Sequence, residues 1–206
     1  MSLYQEKKET MEKEGLYLFA TDASIADDCV GCAIHDICSD TSYMYKLNEK
    51  FSSTFGELCA IRQAVRIAKR LKLSRIGSFT DSAAAVKLLE QDSTNNFVVA
   101  EVHNEVCNSS IHDITICWVP SHVGIGFNEK ADLAAKTAVD RGLVMESMYT
   151  FQEAITRIRD KIWNDWNVEY QNTCLVKGKT FAQIQPSVTR TADFVVHEKP
   201  TQPASF

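Results

Sequence analysis

The order of the predicted elements is the feature of this sequence that most constrains its fold. Three segments rich in strand-forming residues come first: LYLFATD, VGCAIHDI and TSYMYKL, with the turn-forming pairs DD and SD between them. After them, helical and strand patterns alternate up to Gly142. An antiparallel meander followed by such an alternation predicts a mixed sheet with helices packed on both faces. We therefore expect an α/β fold built on a mixed five-stranded sheet.

The first long helix is predicted from Gly56 to Leu71, where apolar residues recur at helical spacing. Basic residues are expected on its solvated side and continue past its end: Arg62, Arg66, Lys69, Arg70, Lys72 and Arg75. These cations are either an ordinary solvated face or a track for the phosphates of a nucleic acid. The sequence leaves both interpretations open.

Four carboxylates lie beside apolar residues, close to predicted element ends. They occur in FATDAS, FGELCAI, FTDSAAA and NEKADLAAK, as Asp22, Glu57, Asp81 and Asp132. Because a carboxylate among apolar neighbours is costly to bury unless it is neutralised or paired, their recurrence indicates a shared cation site. Oxygen ligands favour Mg²⁺ or Mn²⁺ over zinc. Two such ions held by shared carboxylates promote in-line displacement at phosphorus, so the residues indicate a metal-dependent nuclease.

Size and composition allow one substantial domain. The chain has 206 residues, of which 45% are hydrophobic and 24% charged, which permits a sizeable core. The formal net charge of −5 argues against attraction of nucleic acid by the whole surface but permits a local basic footprint. We expect a charged flexible leader over residues 1–14, one domain over 15–142, and a helical extension with a loose tail over 143–206.

The location expected for this protein follows from its apolar segments and cysteines. No apolar run approaches the length of a bilayer span, and the first residues lack the hydrophobic centre of a secretory signal. The cysteine count of seven is odd, and most of these residues lie in apolar segments, which predicts free thiols. We therefore expect an intracellular protein, in the cytoplasm or nucleus, without a membrane partner.

One cysteine-rich segment superficially resembles a zinc ligand set. It contains Cys29, Cys32, His35 and Cys38. If VGCAIHDI is a strand, residues three apart face opposite sides, so Cys29 and Cys32 would not converge on one ion. This geometry argues against zinc there.

Four motifs, TDAS, GELCAI, TDSAAA and SHVGIGFNEKAD, resemble in sequence and order the four motifs of type 1 ribonuclease H. The last is the most specific, because in the family a histidine precedes the final catalytic aspartate by the interval that separates His122 from Asp132. The resemblance covers about Leu16 to Gly142. The segments WVPSHVGI and NEKAD are similar to those of ribonuclease H domains in non-LTR retrotransposon polyproteins. Two departures, Gly56 in place of alanine and Phe127 in place of glycine, are expected to alter loop mobility.

The resemblance implies an RNase H-like fold and hydrolysis of the RNA strand of RNA/DNA hybrids, leaving 5′-phosphate and 3′-hydroxyl ends. It implies that Asp22 bridges two Mg²⁺ ions, for which Mn²⁺ substitutes, and that Glu57 and Asp81 bind chiefly the second. Asp132 would hold the first ion, which activates water. His122 would assist proton movement or product release.

Further contacts follow from the same resemblance. Ser24, Ser53 and Ser82 lie beside the carboxylates, where family members use small polar groups to touch ribose hydroxyls or phosphates. The expected partners are an RNA/DNA hybrid and an adjoining reverse transcriptase domain, because the basic protrusion of bacterial members has no equivalent here. Trp163 and Trp166, at helical spacing, either stack on bases or pack the extension.

Two alternative functions remain. A non-catalytic module retaining the RNase H fold would bind nucleic acid or a partner without cleavage. A serine hydrolase would use Ser121 or Ser24 with His122, but no G-x-S-x-G segment is present and adjacency in sequence does not orient a serine toward a histidine. The second alternative is the weaker one.

Overall fold

The computed structural model describes residues 3–91, 96–145 and 151–176, and the strands in these segments form one six-stranded sheet. The strands are β1 (Tyr17–Ile25), β2 (Val30–Asp36), β3 (Thr41–Leu47), β4 (Arg75–Thr80), β5 (Asp113–Trp118) and β6 (Leu143–Val144). Their order across the sheet is β5-β4-β1-β2-β3-β6. The first three strands pair antiparallel, whereas β4 pairs parallel to β1, β5 to β4 and β6 to β3.

The predicted fold class is confirmed, with one strand more than expected. The additional strand, β6, has only two residues, and a segment this short carries no periodic signal in the sequence. The helices are α1 (Leu3–Lys13), α2 (Ser53–Arg70), α3 (Ala83–Leu89), α4 (Phe97–Cys107), α5 (Gly126–Arg141) and α6 (Phe151–Val176).

Two glycines show that α2 and α5 pack on opposite faces of the sheet. A Cβ atom on Gly56 of α2 would lie 2.7 Å from Val30 Cγ1 in β2. A Cβ on the next residue of that strand, Gly31, would lie 2.8 Å from the backbone nitrogen of Val139 in α5. Because neighbouring strand residues face opposite sides, the two helices cover the two faces. Gly56 therefore lies in a helix and sets a helix-to-sheet distance, while the effect on loop mobility expected for it stays a prediction.

The aromatic residue that departs from the family pattern also packs in the core. Phe127 lies in the first turn of α5 and is buried. Its ring centroid is 4.6 Å from that of Phe79 in β4. Phe127 thus fastens the start of α5 to the sheet.

Helix α1 occupies most of the segment expected to be a flexible leader. Its Met11 is buried in a cluster that includes Leu16 and Leu18 of the following segment. A side chain on Gly77 of β4 would touch Met11 and Leu18. The structure therefore differs from the expectation for residues 3–13, because one buried methionine ties a mostly charged helix to the core.

Three of the four cations of α2 are paired with carboxylates, which corrects one expectation. Arg62 is only 5% exposed and forms an ion pair with Glu101 of α4. The other described pairs are Arg66 and Lys69 with Glu105, and Arg75 with Asp113. The prediction that Arg62 lies on the solvated side is wrong, since α4 packs over it. The pairing also weakens the interpretation of this row as a phosphate track.

All seven cysteines are free thiols. Cys32 lies on the α2 side of β2, where its thiol donates to the Gly56 carbonyl at 3.4 Å. His35 lies on the other face of the strand, where its ring nitrogen is 3.1 Å from the Ser42 hydroxyl. Within the described residues, the cysteine-rich segment is not among the groups whose ligand atoms converge.

The chain divides into two compact units, Met1–Glu153 and Ala154–Phe206. Helix α6 lies in the segment where a helical extension is expected, and Ile158, Ile162 and Trp166 are exposed on it. The expected loose tail lies outside the described residues, and the domain boundaries given above stay predictions. In the segments that the structure describes, no helix combines the length and apolar character needed to cross a bilayer.

Candidate active site

Three of the predicted carboxylates meet at one end of the sheet. Asp22 lies in β1, Glu57 lies near the start of α2, and Asp81 follows the last residue of β4. Since Thr21 and Thr80 are register partners in the parallel β1–β4 pair, the aspartates that follow them emerge side by side. One oxygen from each of the three carboxylates lies within 4.8 Å of the others.

The remaining predicted residues form a second group. Asp132, in α5, gathers with His122 and Glu129, and their ligand atoms also lie within 4.8 Å of one another. Glu129 Oε1 accepts a hydrogen bond from the Gly124 backbone N–H at 3.3 Å. We did not single out Glu129 from the sequence, although it stands three residues before Asp132 and so shares its helix face.

Asp132 faces both a carboxylate and a cation. Its negative charge contributes to raising the pKa of Asp22, so the two groups are close enough to interact electrostatically. Asp132 Oδ2 accepts from Lys136 Nζ at 2.6 Å, one helical turn along α5. The structure thus brings Asp132 near the first three carboxylates without placing it within their group.

Backbone and hydroxyl donors hold the two most buried carboxylates. Asp22 is 6% exposed and Glu57 is 4% exposed. The Ala23 N–H donates to Asp22 Oδ1 at 2.8 Å and to Glu57 Oε1 at 2.9 Å. The Thr80 hydroxyl donates to Glu57 Oε2 at 3.3 Å. These hydrogen bonds therefore direct both carboxylates into one space. The role of Thr80 was not predicted from the sequence, because a threonine carries no charge that would mark it as a candidate.

The electrostatics of this space favour a bound cation. Burial raises the pKa of Asp22 to about 6, with the charges of Asp81 and Asp132 adding to it and hydrogen bonds from Glu57 and Ala23 opposing it. Burial, followed by the charge of Asp22, raises the pKa of Glu57 well above its ordinary value. A divalent cation would relieve this repulsion, and an all-oxygen ligand set fits Mg²⁺ or Mn²⁺.

The metal-free protein is expected to lose stability through Asp22 as the pH rises from about 4 to 6. The folded pKa of about 6 exceeds the ordinary 3.8, so the stabilisation is complete at low pH and is lost as the pH passes 6. The contribution is about 3 kcal/mol at most. Urea denaturation in EDTA across this range, with Asp22→Asn beside the natural chain, measures it. Identical pH profiles of the two proteins would contradict the assignment.

His122 lies in the loop between β5 and α5, with its side chain exposed. Its φ of 54° is in the left-handed region, which histidine, asparagine and aspartate adopt more readily than most residues. The loop conformation thus presents the imidazole to the second group of ligands.

The three predicted serines have different surroundings. Ser82 caps α3, and its hydroxyl accepts from the Ala85 N–H at 3.2 Å. Ser53 is exposed in the first turn of α2, whose N-cap is the preceding Ser52. Ser24 is half-buried in β1, two residues from Asp22 and so on the same strand face. Of the three, Ser82 directly follows a carboxylate of the cluster in the chain, and Ser24 is two residues from one.

A comparison with known protein families identifies one family whose model matches this chain. The family model described as RNase H matches residues 5–140. The matched span begins in α1 and ends in α5, so it includes β1 to β5 and both groups of candidate metal ligands. With about two thirds of its length matched, this chain belongs to the RNase H family.

Proposed function

We propose that the protein is an endonuclease that hydrolyses the RNA strand of RNA/DNA hybrids and leaves 5′-phosphate and 3′-hydroxyl ends. The observation that carries this proposal is the convergence of Asp22, Glu57 and Asp81 within 4.8 Å, beside a second group that contains Asp132. Family membership supports nuclease chemistry, and the buried acidic set supports its dependence on a divalent metal.

The residues of the two groups would hold two Mg²⁺ ions, for which Mn²⁺ substitutes. Asp22, Glu57 and Asp81 would hold one, and Asp132, with help from His122 or Glu129, would hold the other. Asp22 would contribute to both sites, because it belongs to the first group and is close enough to Asp132 for that charge to raise its pKa. When bound, such a pair of ions supplies an activated water and stabilises the leaving oxygen.

Neighbouring groups of the protein orient and neutralise the carboxylates in the absence of a bound ion. Ala23 and Thr80 fix the orientation of the Asp22 and Glu57 carboxylates through hydrogen bonds. Lys136 neutralises Asp132 through a 2.6 Å ion pair. Ser24 and Ser82 are proposed to contact ribose hydroxyls or phosphates, and Ser53, at the start of α2, is proposed to do so farther along the duplex.

His122→Ala is expected to slow turnover by about 10²-fold, because general acid–base assistance contributes this much without being indispensable. The measurement is single-turnover cleavage of a hybrid in Mg²⁺. His122→Asn tolerates the left-handed backbone and separates loss of the imidazole from backbone strain. Val123→Ala, at the exposed neighbouring position, is the matched control. Complete loss of cleavage in both histidine variants would indicate that His122 is a required ligand instead.

The decisive experiment compares matched RNA/DNA, RNA/RNA and DNA/DNA duplexes in series of Mg²⁺ and Mn²⁺ concentrations. We expect cleavage of RNA in the hybrid only, with 5′-phosphate ends on the products. A hybrid that is bound but left intact at every metal concentration would favour the non-catalytic alternative.

A retroelement polyprotein is the proposed origin of the domain, on the basis of the WVPSHVGI and NEKAD segments. In that setting an adjoining reverse transcriptase domain would deliver the hybrid, and the work would take place in the cytoplasm or nucleus. The carboxylate pairs of Arg62, Arg66, Lys69 and Arg75 support such delivery, because they leave this basic row less charge for phosphates.

A further inference from the structure

Trp118 stands directly beside the carboxylate cluster. It is the last residue of β5 and the register partner of Thr80, the last residue of β4. Asp81, which follows Thr80, contributes its side chain to the cluster. Strand pairing therefore places the indole next to the backbone of a candidate metal ligand.

The indole is exposed and held at the same time. Trp118 is 48% exposed, although it lies in a strand of the central sheet. Its Nε1–H donates to the Asp81 carbonyl oxygen at 2.9 Å. The backbone on either side is also fixed, because the Val119 N–H donates to the Thr80 carbonyl at 2.9 Å and Cys117 is buried. An apolar ring held in this way loses little conformational freedom when a ligand covers it.

We propose that Trp118 is a substrate-positioning residue whose indole face packs against the sugar or base of a nucleotide bordering the scissile phosphate. The inference rests on the proposed function, since a phosphodiester at the carboxylates brings its adjoining nucleosides to this edge of the sheet. Every nucleoside offers an apolar face to an aromatic ring, so the contact provides affinity without sequence preference. The hydrogen bond from the indole to the Asp81 carbonyl oxygen couples the position of this contact to that of Asp81, a candidate metal ligand.

The kinetic test compares Trp118→Ala with Trp118→Phe in the full chain. Removal of the ring is expected to raise KM for the hybrid about 10-fold with kcat changed less than about 3-fold, in line with the measured strength of base–aromatic stacking. Phenylalanine keeps a stacking face and is expected to restore most of the affinity. Trp166→Phe, at an exposed tryptophan of α6, is the matched control.

A binding measurement tests the contact without turnover. Tryptophan fluorescence is titrated with hybrid in Ca²⁺, under conditions in which gels show no cleavage. The natural chain and Trp166→Phe are expected to show strong quenching, whereas Trp118→Phe is expected to show little.

The outcomes separate this inference from the proposed function. Equal impairment of Trp118→Ala and Trp118→Phe through kcat would overturn the inference in favour of a structural role through Asp81. Unchanged KM in Trp118→Ala, or quenching that survives in Trp118→Phe, would also overturn it while cleavage by the natural chain stands. Quenching at Trp118 by a hybrid that is never cut would support the contact and defeat the proposed nuclease activity.

Discussion

Asp22→Asn is expected to lower hybrid cleavage by about 10³-fold, because metal-ion catalysis supplies several kcal/mol of transition-state stabilisation. Asparagine preserves the shape of the side chain but removes the charge on which the charges of Asp81 and Asp132 both act. The measurement is single-turnover cleavage in saturating Mg²⁺, where a weakened metal site also appears as a shifted concentration dependence. Asp81→Asn is expected to have a similar effect for the same reason.

The control for this loss of cleavage is a measurement of the stability of Asp22→Asn. In EDTA near neutral pH, Asp22→Asn should be more stable than the natural chain, since it removes a buried charge that nothing neutralises. Asp140→Asn, at an exposed position of α5, should change neither cleavage nor stability appreciably. Near-normal cleavage by Asp22→Asn would refute the metal assignment. If Asp22→Asn instead proved less stable than the natural chain, its loss of cleavage could reflect unfolding, and the cleavage rate of Asp81→Asn would then decide.

Gly31→Ala is expected to destabilise the protein by about 3 kcal/mol, at the upper end of the usual cost of overpacking. The added Cβ would lie 2.8 Å from the Val139 backbone nitrogen and closer still to the Ala135 carbonyl oxygen. Because these are backbone atoms, α5 must shift as a unit, and with it Asp132 and Glu129. Urea denaturation measures the stability, and Mg²⁺ titration of cleavage should show weaker activation in whatever protein remains folded.

Gly126→Ala is the matched control for this prediction. Gly126 lies in α5, the helix that Gly31 of β2 packs against, and a Cβ added to it would meet nothing within 4 Å. Its stability is expected to stay the same or to rise by about 0.5 kcal/mol, because alanine restricts the unfolded chain. If Gly31→Ala and Gly126→Ala had equal urea midpoints, the close packing of α5 on β2 would not be rigid.

The sequence was sufficient where local patterns determine structure. Alternating strand segments and short turns located β1 to β3, and the carboxylates at element ends identified the residues that now gather around Asp22. It was insufficient where distant segments interact. Arg62 is buried because it forms an ion pair with Glu101, thirty-nine residues later in the chain. Glu129 joins His122 only through the loop before α5, and Met11 anchors α1 through contacts with β-strand residues that no local pattern reveals.

The Ala23 N–H serves both Asp22 and Glu57, so the relative orientation of these acids is encoded in the path of β1. Any residue other than proline supplies the same donor, and the tight approach of Gly56 restricts this position mainly in size. If Asp22 and Glu57 were replaced by other acceptor side chains to bind a different ion, the same Ala23 N–H would still be available to orient them.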